Sequence, residues 1–329
     1  MRIALIGGAG FVGHHLALRL RSLNHEVLVL DHLSVNQYGN LYEKRGGWNE
    51  NYLSFLRARA DLWNAAGCDF VLCDARDYHR LSQRLSVWKP DSVVHLAAVA
   101  HIIHTRTDEH NAWTNSVLSL KNALDASVAL NVQRLIYFSS STVYGDFPAP
   151  IVDEEFPLKP DTTYGRYKQI GEIMVHAAWQ DRRLAYTIIR PQALYGARCV
   201  SRRVTQIFIE NAIDKKPLRI DGDGSASHDF TYIDDLIDGV AAIFSHMDVS
   251  KNETFCMTAG EARTLKNLAE IVQSHIPCEI VNGPPDPEKP SRGTMSPAKA
   301  KRLLGWEPRY NLDQGMKLTI DFYKEMLNE

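Results

Sequence analysis

The feature that most constrains this chain is a glycine turn set between a strand and a helix. IGGAGFVGHHL, residues 6–16, follows the apolar run at 2–6 and opens an amphipathic stretch. From Gly8 it reads G-x-G-x-x-G, and from Gly7 it reads G-x-x-G-x-x-G. Glycine permits the tight turn, lets backbone N–H groups approach a pyrophosphate, and allows close helix–strand packing. The helix N-terminus then faces the phosphate charge. A second apolar run, EVLVLD, ends in Asp31, about 20 residues on, where a ribose-binding acid belongs. A carboxylate there accepts from the ribose hydroxyls and repels a 2′-phosphate, so NAD is expected rather than NADP.

The rest of the first half repeats the strand–helix alternation. Strands are predicted at 2–7, 26–31, 69–74, 92–98, 134–140 and 185–191. They are short and apolar on both faces, as strands of a covered parallel sheet are. Leu16, Leu20 and Leu23 share a helix face, and Asn24 is placed to cap that helix in a left-handed conformation. The pattern predicts an α/β fold, a Rossmann-like doubly wound parallel sheet. Residues from about Leu33 to Gly67 exceed a normal βα connection, and 53–67 read as a helix. A surface elaboration and a role beside the site both stay open.

After Pro191 the loops lengthen, notably at 222–230 and 282–293, and helices are predicted near 203–215, 233–246, 264–275, 297–304 and 312–328. The expected division is a cofactor domain at 1–190, with a returning segment near 231–260. A smaller C-terminal substrate-binding domain takes 191–230 and 261–329.

Formal net charge is -2, with Lys+Arg 37 against Asp+Glu 39. That leaves no electrostatic footprint for nucleic acid. No apolar run approaches the ~20 residues of a membrane helix, and the start lacks signal-peptide features. The five cysteines are odd in number and form no C-x-x-C, so buried free thiols in a reducing cytoplasm are expected.

DTTYGRYKQIGE, residues 161–172, places Lys168 four residues after Tyr164. On a helix the two share a face. With 13 Tyr in the chain, about one such spacing arises by chance, so the pair gains weight only from its surroundings.

Those surroundings carry a resemblance. The chain resembles the extended short-chain dehydrogenase/reductases of the nucleotide-sugar epimerase/dehydratase type. The likeness rests on GGAGFVG (7–13), Asp31, CDARD (73–77), HLAAVA (95–100), FSSSTVYGD (138–146), Tyr164 with Lys168, RPQALYG (190–196), GDGSASHDFTYIDD (222–235) and KAKRLLGWEP (299–308). It implies that Gly7, Gly10, Phe11, Val12, Gly13 and Asp31 hold NAD, with Asp74 and Ala75 at the adenine. Leu96, Ala97 and Ala98 would line the cofactor, and Asn115 and Pro191 would buttress it. Ser140 matches the family's catalytic Ser/Thr, and Ser141, Thr142 and Gln192 would meet the sugar. Helices near 107–130 and 163–180 resemble a pair that builds a homodimeric four-helix interface.

The implied chemistry starts with oxidation of a secondary alcohol. Tyr164 would be the base, Lys168 would favour its phenolate and bond the cofactor ribose, and Ser140 would orient the reacting oxygen. A dehydratase of this type carries Asp and Glu after the catalytic Ser/Thr, but here Ser141 and Thr142 follow. The expected activity is therefore 4-epimerisation of a nucleotide-diphosphate sugar through a keto intermediate. The alternatives are a ketoreductase or dehydrogenase, and a non-catalytic NAD-binding regulator.

Three positions depart from the pattern. Ala193 stands where an Asn is common, His228 where an Arg grips the diphosphate, and Ile6 where a Thr is frequent. Arg292 loosely matches a phosphate-binding Arg. Arg198, Arg202 and Arg203 could supply the missing charge or form a solvated loop. His101 and His104 lack a third ligand for zinc, so packing or pocket roles are expected and no metal. His14 and His15 read as helix-surface residues. Trp63, Trp88, Trp113 and Trp306 read as packing residues, and Asp234 and Asp235 as helix-start carboxylates.

Overall fold

The computed structural model describes residues 1–34, 47–100, 102–284 and 292–327. Seven strands form the central sheet. They are β1 (Arg2–Ile6), β2 (Glu26–Asp31), β3 (Asp69–Leu72), β4 (Ser92–His95), β5 (Arg134–Phe138), β7 (Tyr186–Arg190) and β10 (Glu253–Cys256). Their order is β10-β7-β5-β4-β1-β2-β3, and every pairing is parallel. Six of these strands are those predicted. The chain direction across the sheet reverses between β1 and β4, where doubly wound folds open a ligand crevice.

Residues of β1 alternate between two cores. Ile3 and Leu5 pack with Leu16 and Leu20 of α1 (Phe11–Ser22), Phe55 of α2 (Trp48–Ala65) and Val240 of the later helix Ile233–Ser245. Ala4 and Ile6 face Leu81 and Leu85 of α3 (Tyr78–Trp88), Leu120 of α4 (Ser119–Ala129) and Val175 of α5 (Thr163–Arg182). Asn24 closes α1 at φ 62, as predicted.

The covered-sheet expectation does not extend to β3. It is the edge strand, and Leu72 is 64% exposed. Phe70 is half shielded by stacking on Trp63 of α2, 5.6 Å away.

Outside the central sheet the described residues form three small two-stranded sheets. β6 (Ile151–Val152) pairs with β13 (Thr294–Met295), β8 (Leu218–Asp221) with β12 (Ile280–Gly283), and β9 (Ser227–Asp229) with β11 (Ala262–Thr264). Helices α6 (Val204–Ile213), α7 (Ile233–Ser245), α8 (Leu265–His275), α9 (Ala298–Leu304) and α10 (Leu312–Leu327) lie between and after them. Asp234 and Asp235 sit in the first turn of α7. The Asp235 carboxylate also accepts the N–H groups of Arg309 and Tyr310, which ties the C-terminal segment to α7.

Candidate active site

The nucleotide end is built on β1, the glycine turn and α1. Gly7 has φ 81, and a Cβ there would meet the Ala97 nitrogen at 2.6 Å. A Cβ at Gly13 would meet the Gly8 oxygen at 2.5 Å, so α1 can lie this close only with glycine. Gly10 is the N-cap residue of α1 and offers no side-chain cap. The first-turn N–H groups at Phe11, Val12 and Gly13 therefore have no intrahelical acceptor, which suits an anion.

A crevice at the C-terminal ends of β1 and β4 is lined by Gly7, Gly10, Asp31, Asp74, Ala75, Leu96, Ala97, Ala98 and Asn115. Asp31 is 7% exposed; its carboxylate accepts Ala9 N–H at 3.0 Å and Leu33 N–H at 2.7 Å. Burial nevertheless raises its pKa. Asp74 is engaged by Arg76 through both carboxylate oxygens. Burial pushes the Asp74 carboxyl up, but the Arg76 bonds outweigh it and the net pKa is lowered.

Asn115 lies in a π-helical turn, Thr114–Leu118, that no periodicity announced. Its amide donates to Asn111 Oδ1 at 2.7 Å, and its carbonyl accepts Ser119 Oγ at 2.6 Å. Such bulges often mark functional sites.

The catalytic end depends on how closely α5 approaches β5. Thr162 caps α5 by accepting Gly165 N–H at 3.1 Å. A Cβ on Gly165 would lie 2.5 Å from the Thr142 oxygen, and one on Gly171 would lie 2.1 Å from Tyr137 Oη. That contact sets Tyr164 beside Ser140, near enough for the serine hydroxyl to favour the phenolate. Ser140 Oγ also accepts Thr142 N–H at 3.2 Å, which fixes the start of the turn Ser141–Tyr144. Pro191 supports the same turn, because its carbonyl accepts Ser141 N–H at 3.0 Å.

Lys168 is buried and donates to the Phe138 carbonyl at 2.6 Å, with its Nζ 5.9 Å from the Tyr164 ring centre. Burial, opposed by Glu172, lowers its pKa to about 8. The Tyr164 phenol is raised, not lowered: burial drives it up, against the Arg203 charge and the Ser140 hydroxyl. Arg203, whose guanidinium bonds the Ala100 carbonyl, adds positive charge near the phenol. Lys168 is turned instead to the end of β5.

Beneath this pair lies a buried ion pair that the motif reading missed. Arg190 grips both oxygens of Glu172 at 2.9 and 2.7 Å, and Ser139 donates to the same carboxylate. Glu172 lies four residues after Lys168, on the buried face of α5, and a charged residue on that face was the available signal.

At the sugar end the structure gathers Thr142, Gln192 and Arg292. Arg292 donates to the carbonyls of Ser141 at 3.1 Å and Gly145 at 2.6 Å. Gln192 reaches the Gly293 carbonyl at 3.5 Å. Thr142 Oγ1, Gln192 Oε1 and Arg292 Nη2 are buried with no hydrogen-bond partner among the described residues. Ala193 is half-buried at φ 41. His228 lies in β9, edge-on to Phe230 at 5.7 Å. Arg202 points elsewhere: its Nε pairs with the buried Glu210 carboxylate at 3.2 Å.

Two expectations need correction. His14 and His15 are buried, not surface residues: one accepts from Arg198 and the other donates to the Ala197 carbonyl. Trp113 is 43% exposed rather than packed in a core, with its ring edge-on to Tyr167. His101 lies outside the described residues. Among those residues no group of three or more His, Cys, Asp or Glu is arranged to hold a metal. All five cysteines are free, Cys278 being only half-buried, and no described helix is long and apolar enough to cross a membrane.

Known proteins share this architecture. The NAD dependent epimerase/dehydratase family matches residues 3–257. A UDP-glucose 4-epimerase of Mycolicibacterium smegmatis is 27% identical over 330 residues, spanning 98% of this chain and 99% of that protein. The solved structure of a UDP-glucose 4-epimerase with UDP-glucose, from Thermotoga maritima, superimposes with a TM-score of 0.86 at 25% identity, covering 99% of this chain and 100% of that one. A UDP-glucuronic acid 4-epimerase from Bacillus cereus, solved with UDP-glucuronic acid and NAD, gives a TM-score of 0.83 at 26% identity, with 99% and 100% covered.

Proposed function

Because the chain belongs to the NAD dependent epimerase/dehydratase family, we propose that it is an NAD-dependent epimerase acting at C4 of a nucleotide-diphosphate sugar. The observation that carries this reading is the placement of Tyr164 near Ser140, at the head of a turn whose next two residues are Ser141 and Thr142. Those two residues have no acid–base pair for water elimination, so the site is equipped for oxidation and its reversal.

The cradle fits a dinucleotide, since glycine is required at Gly7 and Gly13 and the α1 first turn is uncapped. NAD, when bound, supplies the two-electron acceptor that takes hydride from the sugar carbon and returns it. The turn at Gly7, Gly10, Phe11, Val12 and Gly13 holds the pyrophosphate, Asp31 the adenosine ribose, and Asp74 with Ala75 the adenine. Leu96, Ala97, Ala98, Asn115 and Pro191 shape the wall.

Ser140 orients the C4 hydroxyl toward the Tyr164 oxygen, which takes its proton and later gives it back. A phenol raised by burial is a poor base in the free protein. Positive charge arriving with the oxidised cofactor would favour the phenolate, adding to Arg203. Thr142, Gln192 and Arg292 meet the turning keto sugar or its diphosphate, with Ser141, Ala193 and His228 nearby. Arg202 would have to leave Glu210 to join them.

The test is incubation with UDP-, GDP-, CDP- and dTDP-sugars without added reductant, followed by NMR. An epimer formed with only bound NAD supports the reading. Product that requires stoichiometric external NAD(P)H replaces it with a ketoreductase.

The same reading extends to assembly and location. Ile103, Leu118, Trp113 and Ile173 are exposed apolar side chains on the helical segments 102–118 and α5. Apolar surface of this kind fits a second copy of the chain, docked as a four-helix interface. Light scattering on the purified protein should give twice the 37.2 kDa chain mass. Five free thiols suit a cytoplasmic setting.

A further inference from the structure

The long connection between β2 and β3 is more than decoration. Its helix α2 carries Arg59, which is 1% exposed on the face shared with Tyr52, Phe55, Leu56 and Trp63. The guanidinium fork donates from Nη1 to the Ala9 carbonyl at 3.1 Å. From Nε and Nη2 it donates to the Arg198 carbonyl at 3.1 and 2.5 Å. One side chain therefore joins the glycine turn to the loop that follows β7.

The contact has a partner on each side. The Ala9 N–H is already held by Asp31, so its peptide groups are fixed from both directions. Arg198 returns the link: its Nε donates to His14 Nε2 at 3.0 Å, and His14 Nδ1 meets the Gly10 carbonyl at 3.1 Å. These partners set the His14 tautomer, with the proton on Nδ1. Burial and the neighbouring His15 hold His14 neutral. In a planar trans peptide the C=O and the next N–H point opposite ways. With the Gly10 carbonyl drawn toward His14, the Phe11 N–H is turned the other way, outward at the helix start where a pyrophosphate would lie.

We infer that Arg59 is a positioning residue that clamps the glycine turn to the 197–199 loop and so holds the dinucleotide tightly. An enzyme that gives hydride back to its own product gains from such a clamp, because a cofactor lost in mid-turnover strands the keto sugar. Lys could not replace Arg here. A single ammonium has no planar fork with which to hold two carbonyls at once.

The test uses Arg59→Met and Arg59→Lys, each stripped of NAD beside the wild type. Calorimetric titration with NAD should show binding about tenfold to a hundredfold weaker in both variants. The rise in Tm on adding NAD should shrink in step. A variant that melts lower when stripped but binds NAD as tightly as the wild type would overturn the inference and leave Arg59 as packing for α2. If Arg59→Met fails to fold, Arg59→Lys decides alone. A wild type that binds no NAD would break the functional proposal itself, an outcome distinct from unchanged binding in the variants.

Discussion

The two ends of the site differ in how far their polar side chains are already satisfied. At the nucleotide end Asp31 is held by two backbone N–H groups, Asp74 by Arg76, and Asn115 by Asn111. At the sugar end Thr142, Gln192 and Arg292 each keep a buried atom with no partner among the described residues. Leaving such atoms unmet costs about 1–3 kcal/mol each, which a ligand can recover. The contrast separates a rigid cradle for a resident group from a site that is completed only by something that comes and goes.

Two substitutions test that contrast most strongly. Tyr164→Phe removes the proton acceptor and leaves the cradle untouched. Turnover should fall by roughly 10³-fold while NAD copurifies as before. Near-normal turnover would dismantle the mechanism, and loss of NAD would show that the two ends are not separable. Gly7→Val attacks the other end. It puts a branched side chain at φ 81 and a Cβ 2.6 Å from the Ala97 nitrogen. NAD affinity should drop by about 100-fold, with stripped protein still binding a nucleotide-diphosphate sugar in calorimetry.

The same asymmetry governs what could be read from residues alone. The cradle was legible because each requirement acts locally: a turn needs glycine, a strand end needs an acid, a helix start needs to be uncapped. All six strands written as apolar runs fall where the pattern puts them, whereas β10, with the polar Glu253 and Thr254, was not singled out. The sugar end could be named only through the family resemblance, because Arg292 comes to Ser141 and Gly145 across about 150 residues. Long-range contacts of that kind leave no spacing to detect. Arg59 was not singled out: it lies on the buried face of the helix predicted at 53–67, but its acceptors on Ala9 and Arg198 leave no spacing to detect.

A smaller change sharpens the sugar end. Arg292→Gln keeps much of the side chain's length and removes a charge that burial already makes costly. Substrate KM should rise about tenfold and NAD binding should not move. An equal loss for both ligands would mean that Arg292 only props the Ser141–Tyr144 turn.

The smallest expected effect concerns Lys168, which stands where the two ends meet. Its folded pKa is about 8, set first by burial and then by Glu172, against roughly 10.4 for an unfolded lysine. Between those values the unfolded chain holds the proton more firmly than the folded one. Stability from this group therefore rises with pH across the window and is least below pH 8. Buried tyrosines with raised pKa act in the opposite sense near pH 10, so the measurement belongs between about 8 and 9.5. In thermal melts of NAD-free protein, Tm of the wild type relative to Lys168→Met should climb by a few degrees over that range. A difference that stays flat would mean that the bond to the Phe138 carbonyl keeps Lys168 charged throughout. The cation would then be as firmly set as the cradle, and the boundary between the two ends would move to the far side of α5.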